Sequence, residues 1–234
     1  PIARHLVFKG GTSLSKGWKL IERFSEDIDL AVDPVFLGAQ EGDLTKKQIK
    51  KLRKASSLFV LDQLTPMICE KLEQLGLHSF ITVEAQPNGE GDNTYPEPRQ
   101  VYLRYKSVFE EGLGYLRPDI VLEVSARSLI EPTEAIHIKS IIAESLPIAP
   151  LEDSAIYTAI LAKTFLEKAF LLHELFSIPR HGMKAERKSR HLYDLYVPII
   201  SDFDMKMTYP EAFDLVCEGL APLGEEYIAK LREG

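Results

Sequence analysis

At 234 residues, the chain is long enough for one large domain or two small ones, and its 45% apolar and 27% charged residues are typical of a globular protein. The 28 basic and 35 acidic side chains give a net charge of −7, which argues against broad non-specific binding to nucleic-acid backbones but allows a local basic patch. No apolar run approaches the roughly 20 residues that a membrane crossing needs, and the first residues show no signal-peptide pattern. We therefore expect a cytoplasmic protein with no membrane partner, with Cys69 and Cys217 as reduced thiols and with further residues upstream of Pro1.

Hydrophobic periodicity divides the chain into a first half of mixed strands and helices and a helical second half. Pro147 and Pro150 mark the break between them. Short apolar or alternating runs predict strands, and longer runs with helical spacing predict helices. The elements predicted before the break are strands at residues 5–8, 27–32, 77–85, 101–105, 119–124 and 137–142, a helix from the turn at 10–13 to about residue 24, and a helix at 44–75 that starts at Asp43 or Thr45.

In the second half, the hydrophobic spacing predicts only helices, at residues 155–176, 189–200, 209–219 and 223–232. In the first half, the polar stretch at residues 87–98 is rich in Gly and Pro and predicts a hairpin tip or a mobile lid. We therefore predict an α+β protein with domains at residues 1–150 and 151–234, of which the first is a mixed sheet with helices and the second is all-helical.

Asp27 and Asp29 lie two residues apart on a predicted strand, so both side chains point to one face of the sheet. Two such carboxylates form a hard-oxygen site for Mg²⁺, which binds one or two carboxylates together with substrate phosphates. The alternative interpretation is a pair of aspartates that only faces solvent.

Gly10, Gly11, Thr12 and Ser13 form a turn that opens the first helix. Glycines let a backbone approach a ligand closely, and a helix that starts there directs N–H groups at an anion. A plain turn in which Thr12 or Ser13 caps the helix is the alternative. Because the next strand carries Asp-x-Asp, the turn and the strand together predict a triphosphate cradle beside a metal site, which is what nucleotidyl transfer needs.

The stretch from Phe8 to Leu30, FKGGTSLSKGWKLIERFSEDIDL, resembles the signature of the AbiEii/AbiGii-type nucleotidyltransferases, toxins within the DNA polymerase β-like superfamily. Three later stretches resemble this family in the same order: LEVSARS at 122–128, TFLEKAFLLHE at 164–174 and SRHLYDLY at 189–196. The resemblance implies a nucleotidyltransferase domain at residues 1–150, followed by a helical domain at 151–234 that completes the active-site cleft. It also implies a nucleoside triphosphate substrate, Mg²⁺ or Mn²⁺, an RNA acceptor such as tRNA, and a cognate antitoxin.

The resemblance assigns roles to individual residues. Asp27 and Asp29 would bind metal, and Glu123 would be the third carboxylate, as a metal ligand or as a base toward the acceptor hydroxyl. Asp119, four residues earlier on the same predicted strand, is the second choice. The turn at residues 10–13 would hold the outer phosphates through its N–H groups and the Ser13 hydroxyl.

Cations and a further carboxylate complete this implied set. Lys168 would pair with the triphosphate from the second domain, with Lys163 as the runner-up and a solvated lysine as the alternative. Asp194 would orient Lys168 or touch nucleotide beside Arg190, unless Arg190 and Asp194 only form an i, i+4 pair. Arg23 would touch phosphate or fix the turn.

Other functions compatible with these patterns differ in the acceptor or in class. A protein or small-molecule hydroxyl could replace RNA, and a chain that binds nucleotides without catalysis is the third interpretation. The basic stretch at residues 180–190 is either a solvated loop or a contact for acceptor RNA. Labelled product from RNA, from protein or from neither would discriminate among the three.

Overall fold

The computed structural model describes residues 2–23, 25, 27–40, 42, 44–91, 94–107, 118–126, 130–145, 154–177 and 189–200. Its contacts group the chain into two compact units, one of residues 1–17 and 23–159 and one of residues 18–22 and 160–234. The strands lie in the first unit, and the second unit is described through two long helices.

Seven strands form one mixed sheet. They are β1 (Leu6–Lys9), β2 (Asp27–Val32), β3 (Ile81–Ala85), β4 (Arg99–Tyr105), β5 (Asp119–Ser125), β6 (Thr133–Ile138) and β7 (Ser154–Ala159). Their order across the sheet is β3-β4-β5-β2-β1-β7-β6. The β1–β7 and β2–β5 pairs are parallel and the other four pairs are antiparallel, so the fold is α+β with a mixed sheet, as predicted.

The described helices are α1 (Gly10–Thr12), α2 (Lys46–Phe59), α3 (Thr65–Gln74), α4 (Ile141–Ser145), α5 (Leu161–Ser177) and α6 (Ser189–Ile200). Wider, π-helical turns at Ser13–Gly17 and Val60–Leu64 extend α1 and join α2 to α3. The predicted start at Thr45 is confirmed: its side chain accepts from the Gln48 N–H, while its own N–H donates to Gln48 Oε1 at 2.8 Å.

The main core of the first unit lies between α2 and one face of the sheet. Alternate strand residues Val32, Val101 and Val124 pack there with Phe59 and Val60. Because successive side chains of a strand point to opposite faces of the sheet, the neighbours of these valines along each strand point away from α2. That opposite face carries the polar side chains of β2, β4 and β5.

The polar stretch between β3 and β4 is a hairpin tip, as predicted, and both of its ends are anchored. The fully buried Arg99 donates to Ser57 Oγ at 2.8 Å and to the Gln86 carbonyl at 2.7 Å, and it also donates to Asn88 Oδ1. The buried Glu97 accepts from Ser125 Oγ and from the Ala126 N–H. Arg99 therefore ties the two ends of the loop to each other and to α2, and Glu97 ties the second end to β5.

Four predicted elements were wrong in extent. The strand expected at 77–85 begins only at Ile81, because residues 78–80 form a turn. The first helix ends at Gly17 instead of about residue 24, because Lys19 adopts a left-handed φ of 52° that breaks the helix. The strand expected at 137–142 lies at 133–138 and is followed by α4. The helix expected from residue 155 starts at Leu161, because β7 precedes it and pairs with both β1 and β6.

The second unit packs α5 against α6. Phe165, Ala169 and Leu172 of α5 meet Leu195 of α6 in a small apolar core. Within the described residues, no helix has the length and apolar character that a bilayer crossing requires. The helices predicted at 209–219 and 223–232 lie outside the described residues, so the all-helical second domain and the division at residue 150 stay predictions.

Candidate active site

The turn after β1 is packed directly against the Asp29 carboxylate. Gly10 has a φ of +76°, a left-handed conformation that side chains other than glycine rarely adopt. A Cβ on Gly10 would lie 1.9 Å from Asp29 Oδ2 and 2.7 Å from its Cγ. Glycine is therefore required here both by the backbone angle and by the close approach of the carboxylate.

A second contact fixes the same turn on β2, because the Thr12 hydroxyl donates a hydrogen bond to the Asp27 carbonyl. Gly11, which is buried, lies under the Arg23 side chain: a Cβ there would be 2.4 Å from Arg23 Nη2 and 3.1 Å from Ser25 Oγ. The Asp29 carboxylate and the Arg23 guanidinium thus lie against successive glycines of one turn. An acidic and a basic group are in this way held beside the same short piece of backbone.

Ser13 is fully buried, and its Oγ donates to the Gly10 carbonyl at 2.8 Å. The helical segment begins at Gly10, so the prediction that Thr12 or Ser13 caps it was wrong. Both hydroxyls instead hold the turn together and attach it to β2. The contact predicted between the Ser13 hydroxyl and phosphate stays a prediction.

The parallel pairing of β2 with β5 sets Glu123 directly opposite Asp29, while Val121 lies opposite Asp27. Asp119 lies four residues before Glu123, two alternations along β5, and is paired in register with Arg104 of β4. Among the two predicted choices for a third carboxylate, Glu123 is therefore the one that the sheet brings beside the Asp-x-Asp pair.

Glu123 has a neighbour that the sequence did not single out. Gln100 of β4 lies opposite Glu123 in register, and its Nε2 donates to Glu123 Oε1 at 2.6 Å. Tyr102, two residues along β4, donates its hydroxyl hydrogen to Gln100 Oε1. Glutamine and tyrosine are common on strands, so only the strand register reveals that Tyr102, Gln100 and Glu123 are linked by hydrogen bonds.

The expected three-carboxylate metal site is not assembled in the described residues, where no group of three His, Cys, Asp or Glu side chains is close enough to hold an ion. The physical reason lies partly in Glu123, whose Oε1 is turned to the Gln100 amide. Asp27 and Asp29 still supply two hard oxygens from one strand, and Mg²⁺ binds one or two carboxylates when phosphates and water complete its shell. The donor set therefore fits a metal that binds together with a nucleotide.

In the second unit, Lys168 of α5 and Asp194 of α6 form a buried ion pair. Lys168 Nζ lies 2.7 Å from Asp194 Oδ2, and the two side chains are 7% and 0% exposed. The interpretation of Lys168 as a solvated lysine was therefore wrong. Lys163 and Arg190 are half-buried on the same two helices, and the basic residues at 180–188 lie outside the described part of the chain.

A comparison with protein families matches residues 1–219 to the nucleotidyl transferase AbiEii toxin family of type IV toxin–antitoxin systems. Among solved structures, MenT4, a nucleotidyltransferase toxin from Mycobacterium tuberculosis H37Rv, is 16% identical and aligns over 85% of this chain and 58% of that one. Its TM-score of 0.37 is too low to support any inference from that alignment.

A curated protein, oligopeptidase PepF of Bacillus subtilis (strain 168), is 43% identical over 74 residues. This stretch is 32% of the present chain and 11% of PepF, so the chain spans about a tenth of that relative's length. A match of this extent carries no activity from one protein to the other.

The family match covers the turn, both aspartates, Glu123, and the helices that carry Lys168 and Asp194. The chain belongs to the AbiEii nucleotidyltransferase toxin family of type IV toxin–antitoxin systems.

Proposed function

We propose that the protein transfers a nucleoside monophosphate from a nucleoside triphosphate to a hydroxyl of RNA, with tRNA as the first candidate, in a metal-dependent reaction in the cytoplasm. The observation that carries the proposal is the position of Asp29, whose carboxylate lies against Gly10 and stands in register with Glu123. This position supports the proposal because the turn, the Asp29 carboxylate and Glu123, to which we assign phosphate binding, metal binding and the role of base, follow one another along one line of the sheet.

The phosphate end of the proposed site is the turn of residues 10–13. Its first backbone N–H groups bind the outer phosphates, whereas the Ser13 N–H donates to the Gly10 carbonyl. The Ser13 and Thr12 hydroxyls keep the turn in shape through their hydrogen bonds. The Arg23 guanidinium beside Gly11 supplies positive charge for the same phosphates.

The metal end of the proposed site consists of Asp27 and Asp29. A bound Mg²⁺ or Mn²⁺ would neutralise phosphate charge and so favour departure of pyrophosphate. The acceptor hydroxyl oxygen attacks the α-phosphorus, and the bond from that phosphorus to the oxygen bridging the β-phosphate breaks. Glu123 receives the hydroxyl proton, and pyrophosphate leaves with the electron pair of the broken bond.

Lys168, Arg190 and Asp194 lie on the two helices of the second unit, where Asp194 holds the Lys168 ammonium through the ion pair described above. The roles that the resemblance implies for them toward the triphosphate stay predictions. The basic residues at 180–190 favour RNA over a protein or small molecule as acceptor, because RNA offers a phosphate backbone to them.

The test is incubation of the protein with each α-labelled NTP, Mg²⁺ and either total RNA or total protein, followed by separation of the labelled product. We expect label in RNA, and none with the Asp27→Asn/Asp29→Asn variant. Glu84→Gln is the matched control, since Glu84 is an exposed carboxylate of the same sheet. Label in protein alone would show that the acceptor is a protein and not RNA. If the folded protein transferred label from none of the NTPs, the proposal would be overturned.

A further inference from the structure

We infer that Gln100 and Tyr102 are positioning residues that hold the Glu123 carboxylate in the orientation needed to receive a proton from the acceptor. This inference rests on the proposed function, because it assigns Glu123 the role of base. Its basis is the hydrogen-bonded chain from Tyr102 through Gln100 to Glu123, which crosses from β4 to β5 on the sheet face that carries the two aspartates.

The direction of each hydrogen bond in the chain is fixed by chemistry. A phenol hydroxyl that donates must meet the oxygen of the glutamine amide, so the amide nitrogen is turned the other way, toward β5. That nitrogen donates to Glu123 Oε1, and an ionised carboxylate only accepts hydrogen bonds. Tyr102 therefore sets the orientation of the Gln100 amide, and the amide in turn favours an ionised and oriented Glu123.

The need for such a holder follows from the strand register. Glu123 stands opposite Asp29 across a parallel pair, where side chains of neighbouring strands are close and two negative charges repel. Gln100 approaches Glu123 from β4, on the side away from Asp29, and engages Oε1. Within the described residues, Oε2 has no hydrogen-bond partner, which leaves it as the oxygen for the acceptor hydroxyl.

The test measures kcat, KM for the acceptor RNA and NTP affinity for full-length Gln100→Leu and Tyr102→Phe. We expect kcat to fall on the order of 10- to 100-fold for Gln100→Leu, as is typical when a partner of a catalytic ligand is removed. A smaller loss, about fivefold, is expected for Tyr102→Phe, which removes one neutral hydrogen bond worth about 1 kcal/mol. NTP affinity stays within about twofold of wild type, because neither residue contacts the phosphate turn.

Tyr105→Phe is the matched control, since it removes a hydroxyl from the same strand at an exposed position, and we expect it to leave kcat unchanged. A double-mutant cycle separates positioning from general structural support. In a Glu123→Gln background, Gln100→Leu should cause no further loss, because its effect passes through the Glu123 carboxylate.

An unchanged kcat in Gln100→Leu would overturn the inference, and so would full additivity of Gln100→Leu with Glu123→Gln. A parallel fall of NTP affinity and thermal stability with kcat would do the same, since it would indicate a structural role alone. Failure of the proposed function is distinct, because the wild-type protein would then transfer no label to RNA.

Discussion

Lys168 and Asp194 form an ion pair that is almost completely removed from solvent, with 2.7 Å between Nζ and Oδ2. A surface lysine could be truncated at little cost in stability, whereas truncation of this one removes a charged partner from a carboxylate that is fully buried. The pair links α5 to α6 beside a core that contains Phe165 and Leu195.

Lys168→Ala should therefore lower the free energy of unfolding by about 3–5 kcal/mol, measured by urea denaturation. Loss of activity in that variant would not by itself identify a nucleotide contact. The Lys168→Met/Asp194→Leu double variant removes both charges and should recover most of the stability, because an apolar pair of similar volume often replaces a buried ion pair without loss. If activity stays lost in the recovered protein, the charge itself is required, and an unchanged urea midpoint for Lys168→Ala would contradict the buried pair.

Gly10→Ala should reduce transfer activity on the order of 10²-fold or more, because the new Cβ displaces the Asp29 carboxylate. The left-handed backbone at this position adds a cost of roughly 1–2 kcal/mol for a residue other than glycine. Gly17→Ala is the control at the other end of the same helical segment, where a Cβ would make ordinary contacts at 3.7 Å with Thr158 and 3.8 Å with Ile136. Equal activities of the two variants would contradict the contact between the turn and Asp29.

Asp29→Asn and Asp27→Asn should each weaken NTP binding in Mg²⁺ while changing metal-free binding much less, since removal of a carboxylate weakens the hard-oxygen site. Isothermal calorimetry with and without Mg²⁺ gives both affinities. Glu84→Gln, an exposed carboxylate on β3, should bind as wild type does. Equal Mg²⁺ dependence in wild type and in both variants would exclude the two aspartates as metal ligands.

Arg99→Ala should cost at least about 3 kcal/mol of stability, because it removes a fully buried side chain that donates to the buried Ser57 and also to Gln86 and Asn88. Arg104→Ala on the same strand is the control. Its ion pair with Glu84 is about half exposed, so its loss should cost less than about 1 kcal/mol. Similar urea midpoints for the two variants would contradict the anchoring role of Arg99.

The pH dependence attached to Arg99 has a definite sign. Burial lowers the pKa of the Arg99 guanidinium, and the Asp62 carboxylate partly opposes that shift. A base with a lowered pKa in the folded state makes stability rise, not fall, as the pH rises from that lowered pKa toward the ordinary value, because the unfolded state then binds more protons. Deprotonation of Arg99 should therefore not cause the alkaline unfolding of the wild-type protein. The measurement is a comparison of the pH dependence of stability in wild type and in Arg99→Ala.

Sequence patterns correctly predicted the elements that depend on residues close together in the chain. The alternation in Asp27–Val32 gave β2 within its observed bounds, and the predicted α6 agrees with Ser189–Ile200 because its apolar spacing is uninterrupted. Thr45 was one of two candidates for the start of α2, and the reciprocal bonds with Gln48 decide between them. β7 was missed because one residue, Ile160, separates it from α5, so its apolar residues join the helical pattern, while its strand state depends on pairing with β1 and β6.

The residue types of the site could be predicted more readily than their contacts. Asp27, Asp29 and Glu123 were chosen from short motifs, and the register puts Glu123 opposite Asp29. The contact of Gly10 with Asp29 and the chain through Gln100 depend on how distant segments pack, which no local spacing encodes. The burial of Lys168 was missed for the same reason, since its partner lies on another helix.

The parallel pairing of β1 with β7 has a consequence for the newly made protein. β1 and β2 are translated before β5 and β7, yet Phe8 stands in register with Thr158, and Asp29 stands in register with Glu123, which is made far later. At about 5–20 residues per second, the ribosome needs roughly 8–30 seconds to proceed from β1 to β7. Until β5 has been translated, a nascent chain cannot place Glu123 beside Asp29. While translation continues, the cell that produces this protein therefore carries incomplete chains in which these two carboxylates are not yet neighbours.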